Sequence, residues 1–341
     1  LDALNFAMHD PAFKDNPPSG LPRERVTRPF DMQVHKFNQS HPDIPLFLEK
    51  FRKTMDEYQA RFTVAEVGGP DPLAEMKAFT ADNRHLHSAY NFDFLYADKL
   101  TASLVKRSIQ QWPGDAGEGW PSWAFSNHDA PRALTRWSND KTQDQVCRLL
   151  MLLLLSFRGN AFIYQGEELG LPQGDVAFDD LQDPEAITNW PHTLGRDGAR
   201  TPMPWNADAP NAGFTNGPSA WLRLDQAHAK FAIDAQNDNP ASVLNYTRQL
   251  LALRRNLPSL AVGDIRLLDA PQGLVAFTRV KDSESVLCVY NLSDHTIEWS
   301  PQQEFGDTVL LATETEVKAT RSTPIGLSAH SGYWAMRAGN E

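Results

Sequence analysis

The sequence predicts an α/β protein, the C-terminal part of an eight-stranded (β/α) TIM barrel followed by an all-β antiparallel sandwich domain. Three observations predict it. Short β-rich runs alternate with helical runs over residues 1–257. Carboxylates close two of those strands, and over residues 258–341 strands follow one another without helices. Alternation implies a parallel sheet with right-handed crossovers, whereas strands without helices pair antiparallel.

Each element has its own signal. Residues Leu46 to Tyr58 set Phe47, Phe51, Met55 and Tyr58 at three- and four-residue spacing, an amphipathic helix. Phe62 to Val67 reads as a strand buried on both faces, and Tyr90 to Phe94 as another, followed by a helix over Lys99 to Gln111. Trp120 to Asn127 is the next strand, and the very apolar Lys141 to Phe157 the next helix. Asn160 to Gln165 is the last strand of this part, and a Pro-, Gly- and Asp-rich loop, 172–240, separates it from a helix over Ala241 to Arg255. Leu274–Val280, Ser285–Leu292, Thr296–Trp299, Thr308–Leu311 and Gly332–Met336 are the strands of the terminal domain. The alternating part supplies about five β/α units where a closed barrel needs about eight. An open piece exposes a sheet edge, so a preceding segment, the N-terminal half of the barrel, is expected as its partner.

Composition narrows the function. A chain of 341 residues with 41% hydrophobic and 22% charged residues is globular and long enough for more than one core. A net charge of -11 argues against nucleic acid or an anionic membrane as partner, and Leu149 to Phe157 is too short to span a bilayer. Two cysteines, Cys147 and Cys288, sit in a helical and a strand pattern, which speaks against a disulfide framework or a thiolate metal site. No leader pattern is visible, the natural N-terminus is expected upstream, and a cytoplasmic location is expected. Nine Trp suit stacking against sugar rings, although most are expected in the core.

Three acidic signatures carry the chemistry: Leu1-Asp2-Ala3-Leu4-Asn5-Phe6, Phe62-Thr63-Val64-Ala65-Glu66-Val67 and Phe125-Ser126-Asn127-His128-Asp129. Carboxylates at strand ends converge on one mouth in a barrel. Such a set suits hydrolysis of a sugar acetal, which needs a nucleophile and a proton donor on opposite sides of one bond.

In order, the three signatures resemble the second, third and fourth signature regions of the α-amylase superfamily of glycoside hydrolases. Tyr164-Gln165-Gly166-Glu167-Glu168-Leu169-Gly170 and the run Gly195 to Trp205 add to the likeness, which points to the bacterial α-glucosidase and oligo-1,6-glucosidase branch. The resemblance implies an enzyme, a retaining α-glucosidase that releases glucose from short α-glucosides, with transfer to other acceptors as a side activity. It implies no cofactor in this chain. The family's first signature, its inserted domain, a structural Ca2+ or other cation and the arginine that steadies the nucleophile are expected upstream of Leu1.

Under this resemblance Asp2 is the nucleophile and Glu66 the general acid and base, kept protonated by an apolar surround. Asp129 holds the sugar 2- and 3-hydroxyls and His128 donates to them. Arg196 recognises the non-reducing end, partnered by an upstream carboxylate, with Arg200 as second choice because it could only brace its loop. Phe92 walls the leaving-group subsite, and Ala3, where a valine accompanies α-1,6 bonds, leaves room for an α-1,4 acceptor. Glu167 and Glu168 organise their loop. Each residue has a plainer reading: a solvated Asp2, a buried ion pair at Glu66, a core Phe92, a helix cap at His128 and Asp129. Two other functions compete: a sucrose isomerase or other transglycosylase, and a catalytically silent binding subunit. The joint presence of Asp2, Glu66 and Asp129 argues against the last.

Overall fold

The computed structural model describes residues 1–22, 25–26, 28–90, 92–112, 119–139, 141–193, 195–300, 308–314 and 324–336. In chain order the elements are α1 (Ile44–Asp56), β1 (Val64–Glu66), α2 (Pro72–Thr80), β2 (Ser88–Tyr90), α3 (Ala102–Gln111), β3 (Ser122–Ala124), α4 (Ala133–Trp137), α5 (Gln143–Leu154) and β4 (Asn160–Phe162). Then come α6 (Pro184–Asn189), α7 (Ile233–Asn237), α8 (Val243–Asn256) and α9 (Pro258–Val262). The remainder is β5 (Asp264–Leu267), β6 (Leu274–Lys281), β7 (Glu284–Asn291), β8 (Ile297–Trp299), β9 (Thr308–Ala312), β10 (Ile325–Leu327) and β11 (Ser331–Met336). The chain forms two compact units: Leu1–Asp93 with Gly114–Ser122 and Leu181–Gly195, and Phe94–Pro113 with Trp123–Asp180 and Arg196–Glu341. Their limits are not those of the change in element type at residue 257.

In the first unit β1 pairs β2 in parallel, Val64 with Ser88 through Glu66 with Tyr90, and Ala89 bridges Pro121 in the same sense. The crossover is α2, started by Pro72 and capped by the Asp71 carboxylate, which accepts from the Ala74 amide at 3.1 Å. Ile44 and Leu48 of α1, Met76 and Phe79 of α2, and Ala65, Val67 and Ala89 of the strand region form the core. The predicted helical face is only half right. Phe51 and Met55 are partly buried, but Phe47 is 37% and Tyr58 58% exposed, because Ile44 and Leu48 fill the inner stripe and Tyr58 lies past the helix end. β1 also departs from burial on both faces: Ala65 is buried while Val64 and Glu66 are half-buried. The predicted strand Tyr90 to Phe94 crosses Asn91, which lies outside the described residues; the described strand ends at Tyr90.

In the second unit β3 pairs β4, and α5 runs through the core with Leu149 to Leu155 all buried. Phe94, Phe125, Phe157 and Phe277 pack around it in stacked and edge-on contacts. The last strands form an antiparallel sheet in the order β5-β6-β7-β11-β9, and β8 pairs β10. Along β6, Val275 and Phe277 face α5, whereas Leu274 and Ala276 join Ile297, Trp299, Ile325 and Leu327 of the second layer. The two sheets with a shared apolar interior make the sandwich. Arg254 donates to the carbonyls of Leu155, Phe157 and Gly159 at 2.6, 3.1 and 2.6 Å, and buried Arg279 to those of Ser156 and Gly263 at 2.6 and 2.8 Å. These guanidiniums satisfy buried carbonyls of the turn after α5 and, for Gly263, of the end of α9. Cys147 and Cys288 are free and buried.

The 172–240 segment is more ordered than a plain loop. It holds α6, α7 and short 3-10 turns at Phe178–Asp180, Asp197–Ala199, Pro210–Gly213 and Gln226–Phe231. No helix among the described residues is long and apolar enough to cross a membrane.

Candidate active site

The first unit holds Asp2, Ala3, Glu66 and Phe92. The Leu1 amino group donates to the Val64 carbonyl at 2.7 Å, and the Glu66 amide donates to the Leu1 carbonyl at 3.1 Å. Two such bonds bracketing Ala65 are the rungs of a parallel ladder with Leu1 opposite Ala65. Asp2 follows Leu1 as Glu66 follows Ala65, so both carboxylates come directly after this pair of backbone bonds. Asp2 is exposed and Glu66 half-buried, because Ala65 and Val67 take the core side of the pleat. The chain then turns sharply: Ala3 has φ 43 and ψ 44, a left-handed conformation that leads into the 3-10 turn Leu4–Phe6. Glu66 accepts a hydrogen bond from the Tyr90 hydroxyl, its register partner on β2. The Tyr90 ring meets Phe92 edge-on at 6.4 Å, so Phe92 lies on this side of the strand ends and not in the core.

The second unit holds His128, Asp129, Arg196 and Arg200. The buried Asn127 side chain accepts from the amides of Asp129 and Ala130 at 2.9 and 2.8 Å, and Ser126 Oγ accepts from the first residue of α4, Ala133, at 2.8 Å. Ser126 thus takes the first helical amide of α4, Asn127 closes the turn before it, and the Asp129 carboxylate is directed elsewhere. Its Oδ1 accepts from Arg200 at 2.6 Å and from Arg196 at 3.4 Å, and its Oδ2 lies 3.6 Å from His128 Nε2. Arg200 also donates to the His128 carbonyl at 2.8 Å. Of the two arginines, Arg200 makes the closer contact with this carboxylate.

The turn that carries both arginines, Asp197–Ala199, is itself held. Arg132, 1% exposed, donates to the Gln165 and Ala199 carbonyls at 2.7 and 3.2 Å, and the Tyr164 hydroxyl donates to Ala199 at 2.9 Å. Glu167 and Glu168 accept from the amides of Tyr164 and Gly166 at 2.8 and 2.7 Å, which organises that loop. Burial pushes the Glu167 carboxyl up to about 7, against hydrogen bonds from Ser126 and Tyr164 and the charge of Arg132. Tyr90, Asn127 and Arg132 were not singled out in the sequence. The register of β2 against Glu66 is the signal that finds Tyr90. Among the described residues no group of three or more His, Cys, Asp or Glu is placed to hold a metal ion.

Barrel strands with carboxylates at their ends, followed by an antiparallel β domain, define the class of (β/α)-barrel proteins with an appended sandwich. The chain belongs to the α-amylase family: the model described as "Alpha amylase, catalytic domain" matches residues 1–263. A probable alpha-glucosidase of Rhizobium meliloti is 39% identical over 302 residues, covering 86% of this chain and 54% of that protein. An oligo-1,6-glucosidase of Heyndrickxia coagulans is 28% identical over 302 residues, covering 78% and 54%. The crystal structure of an alpha-glucosyl transfer enzyme, XgtA, superposes with a TM-score of 0.89 at 38% identity over 99% of this chain and 63% of that one. The chain spans about half the length of the curated relatives it matches. An isomaltulose synthase of Erwinia rhapontici, at 23% identity and a TM-score of 0.82, shares the fold.

Proposed function

We propose that this chain carries the nucleophile, the acid/base and the ring-binding residues of a retaining α-glucosidase acting on short α-glucosides. The observation that supports the reading is the pair of backbone bonds at Leu1, which brings the residue before Asp2 beside the residue before Glu66; a retaining double displacement requires about 5–5.5 Å between the two carboxyl groups. Asp2 attacks the anomeric carbon while Glu66 gives its proton to the departing glycosidic oxygen, leaving a glucosyl ester on Asp2. Glu66, now a carboxylate, takes a proton from water, whose oxygen attacks the same carbon and releases Asp2. The Tyr90 hydroxyl orients the Glu66 carboxyl through both half-reactions. In the second unit Asp129, held by Arg200, Arg196 and His128, is the acceptor for sugar hydroxyls. The small Ala3 side chain favours an α-1,4-linked leaving group, a preference worth about 1–3 kcal/mol.

A second reading has one specific support, the 38% identical alpha-glucosyl transfer enzyme. If an alcohol or sugar hydroxyl replaces water in the second step, the same residues perform transfer. Isomerisation of sucrose has no comparable support, since those structures share the fold at low identity. The test uses the enzyme at the full length of its relatives. Asp2→Asn and Glu66→Gln are expected to abolish release of glucose from maltose with an unchanged circular dichroism spectrum, and normal turnover in either variant would remove that residue from the mechanism. Products formed from maltose and sucrose, with and without an added alcohol, separate hydrolysis from transfer.

A further inference from the structure

A buried polar node lies beside the two carboxylates of the first unit, and the roles above leave it unused. Asn5, 1% exposed, accepts from the Gly68 amide at 2.9 Å and donates to the Gly68 carbonyl at 3.1 Å. A primary amide that pairs with both the N–H and the C=O of one residue imitates a backbone rung. It stands three residues beyond Asp2 and two beyond Glu66, past the rung made by the Glu66 amide and the Leu1 carbonyl.

The far side of Asn5 is equally fixed. Its carbonyl accepts from the Ser40 amide at 2.7 Å, its Nδ2 donates to the Glu75 carboxylate, and Ser40 Oγ donates to the same carboxylate at 2.8 Å. Glu75 belongs to α2, the helix that follows Glu66, and Ser40 closes the long excursion that follows Asp2. Gly69, at φ +97, lets the backbone pass over this node: a Cβ there would lie 2.6 Å from Glu75 Oε1 and 2.8 Å from Ser40 Oγ.

We propose that Asn5 is a positioning residue that fixes the spacing of Asp2 and Glu66 by tying the loop after one to the loop after the other. The inference rests on the α-glucosidase reading and adds to it a residue that touches neither substrate nor reacting atom. Displacement of Glu66 by a fraction of an ångström hurts a leaving group that must be protonated far more than one that departs unaided. A fold-level defect, by contrast, lowers turnover of both by the same factor.

The experiment measures kcat/KM of Asn5→Ala in the full-length enzyme with maltose and with an activated aryl α-glucoside. The expected loss is roughly 100-fold with maltose and less than about 10-fold with the aryl glucoside. Equal losses on the two substrates, or none on either, overturn the proposal. Should Asn5→Ala fail to fold, Ser40→Ala removes one strut and keeps the Asn5–Gly68 pair; it is expected to show the same substrate bias at smaller size, and a uniform loss again overturns it. Asp2→Asn and Glu66→Gln run in parallel: full turnover in those variants defeats the α-glucosidase reading itself, whereas their inactivity beside an unbiased Asn5→Ala defeats the positioning role alone.

Discussion

Arg200 and Glu167 show how far single side chains can be argued from contacts. Arg200 approaches Asp129 at 2.6 Å and also bonds the His128 carbonyl, while Arg196 stands at 3.4 Å. Charge-assisted bonds of the shorter kind are the stronger. Arg200→Ala should therefore cost roughly 10–100-fold in kcat/KM, and Arg196→Ala clearly less, as measured with maltose. Glu167 makes a different prediction. Its folded value of about 7 lies above the ordinary 4.5, so the folded form keeps a proton that the unfolded chain releases first. Stability should fall as pH rises from about 4.5 to about 7, by on the order of 3 kcal/mol, and then level off. Glu167→Gln should flatten that slope in urea titrations across the same pH range. Asp2, Glu66 and Asp129 could be singled out as candidates because each sits in a signature with recognisable neighbours. The contacts of Tyr90 and Asn127 could not be read, because they depend on the register of β2 against Glu66 and on the turn that the Asn127 side chain closes.

At the scale of elements, helices were read more securely than strand lengths or exposed faces. The apolar run that became α5 is nearly all buried, as its composition required, whereas α1 buries Ile44 and Leu48 fully and leaves Phe51 and Met55 half-buried and Phe47 exposed. Spacing alone fits two adjacent faces of a helix, and the core decides between them. The donors to the turn after α5 could not be read, since Arg254 and Arg279 come from 99 and 123 residues further along the chain. Arg254→Ala leaves three carbonyls without their donor, at a cost of roughly 3 kcal/mol in unfolding free energy. A loss below about 1 kcal/mol in chemical denaturation would mean that water replaces the guanidinium there.

For the whole molecule, the sequence separated a β/α part from a β part, but the second unit joins pieces of both around one core. β6, β7 and β11 present one face to α5 and the other to β8 and β10, so each layer buries apolar surface of the next. Removal of residues 264–341 should therefore prevent the second unit from folding, not leave a trimmed stable barrel part; limited proteolysis and near-ultraviolet circular dichroism of the truncated protein would report it. The same enclosure holds both cysteines, whose thiols burial pushes up to about 12. At neutral pH they are protonated and sealed from reagents. A maleimide dye offered to the native fold would then leave Cys147 and Cys288 unmodified, and a thiol introduced at an exposed position such as Trp221 would take the fluorophore ahead of either.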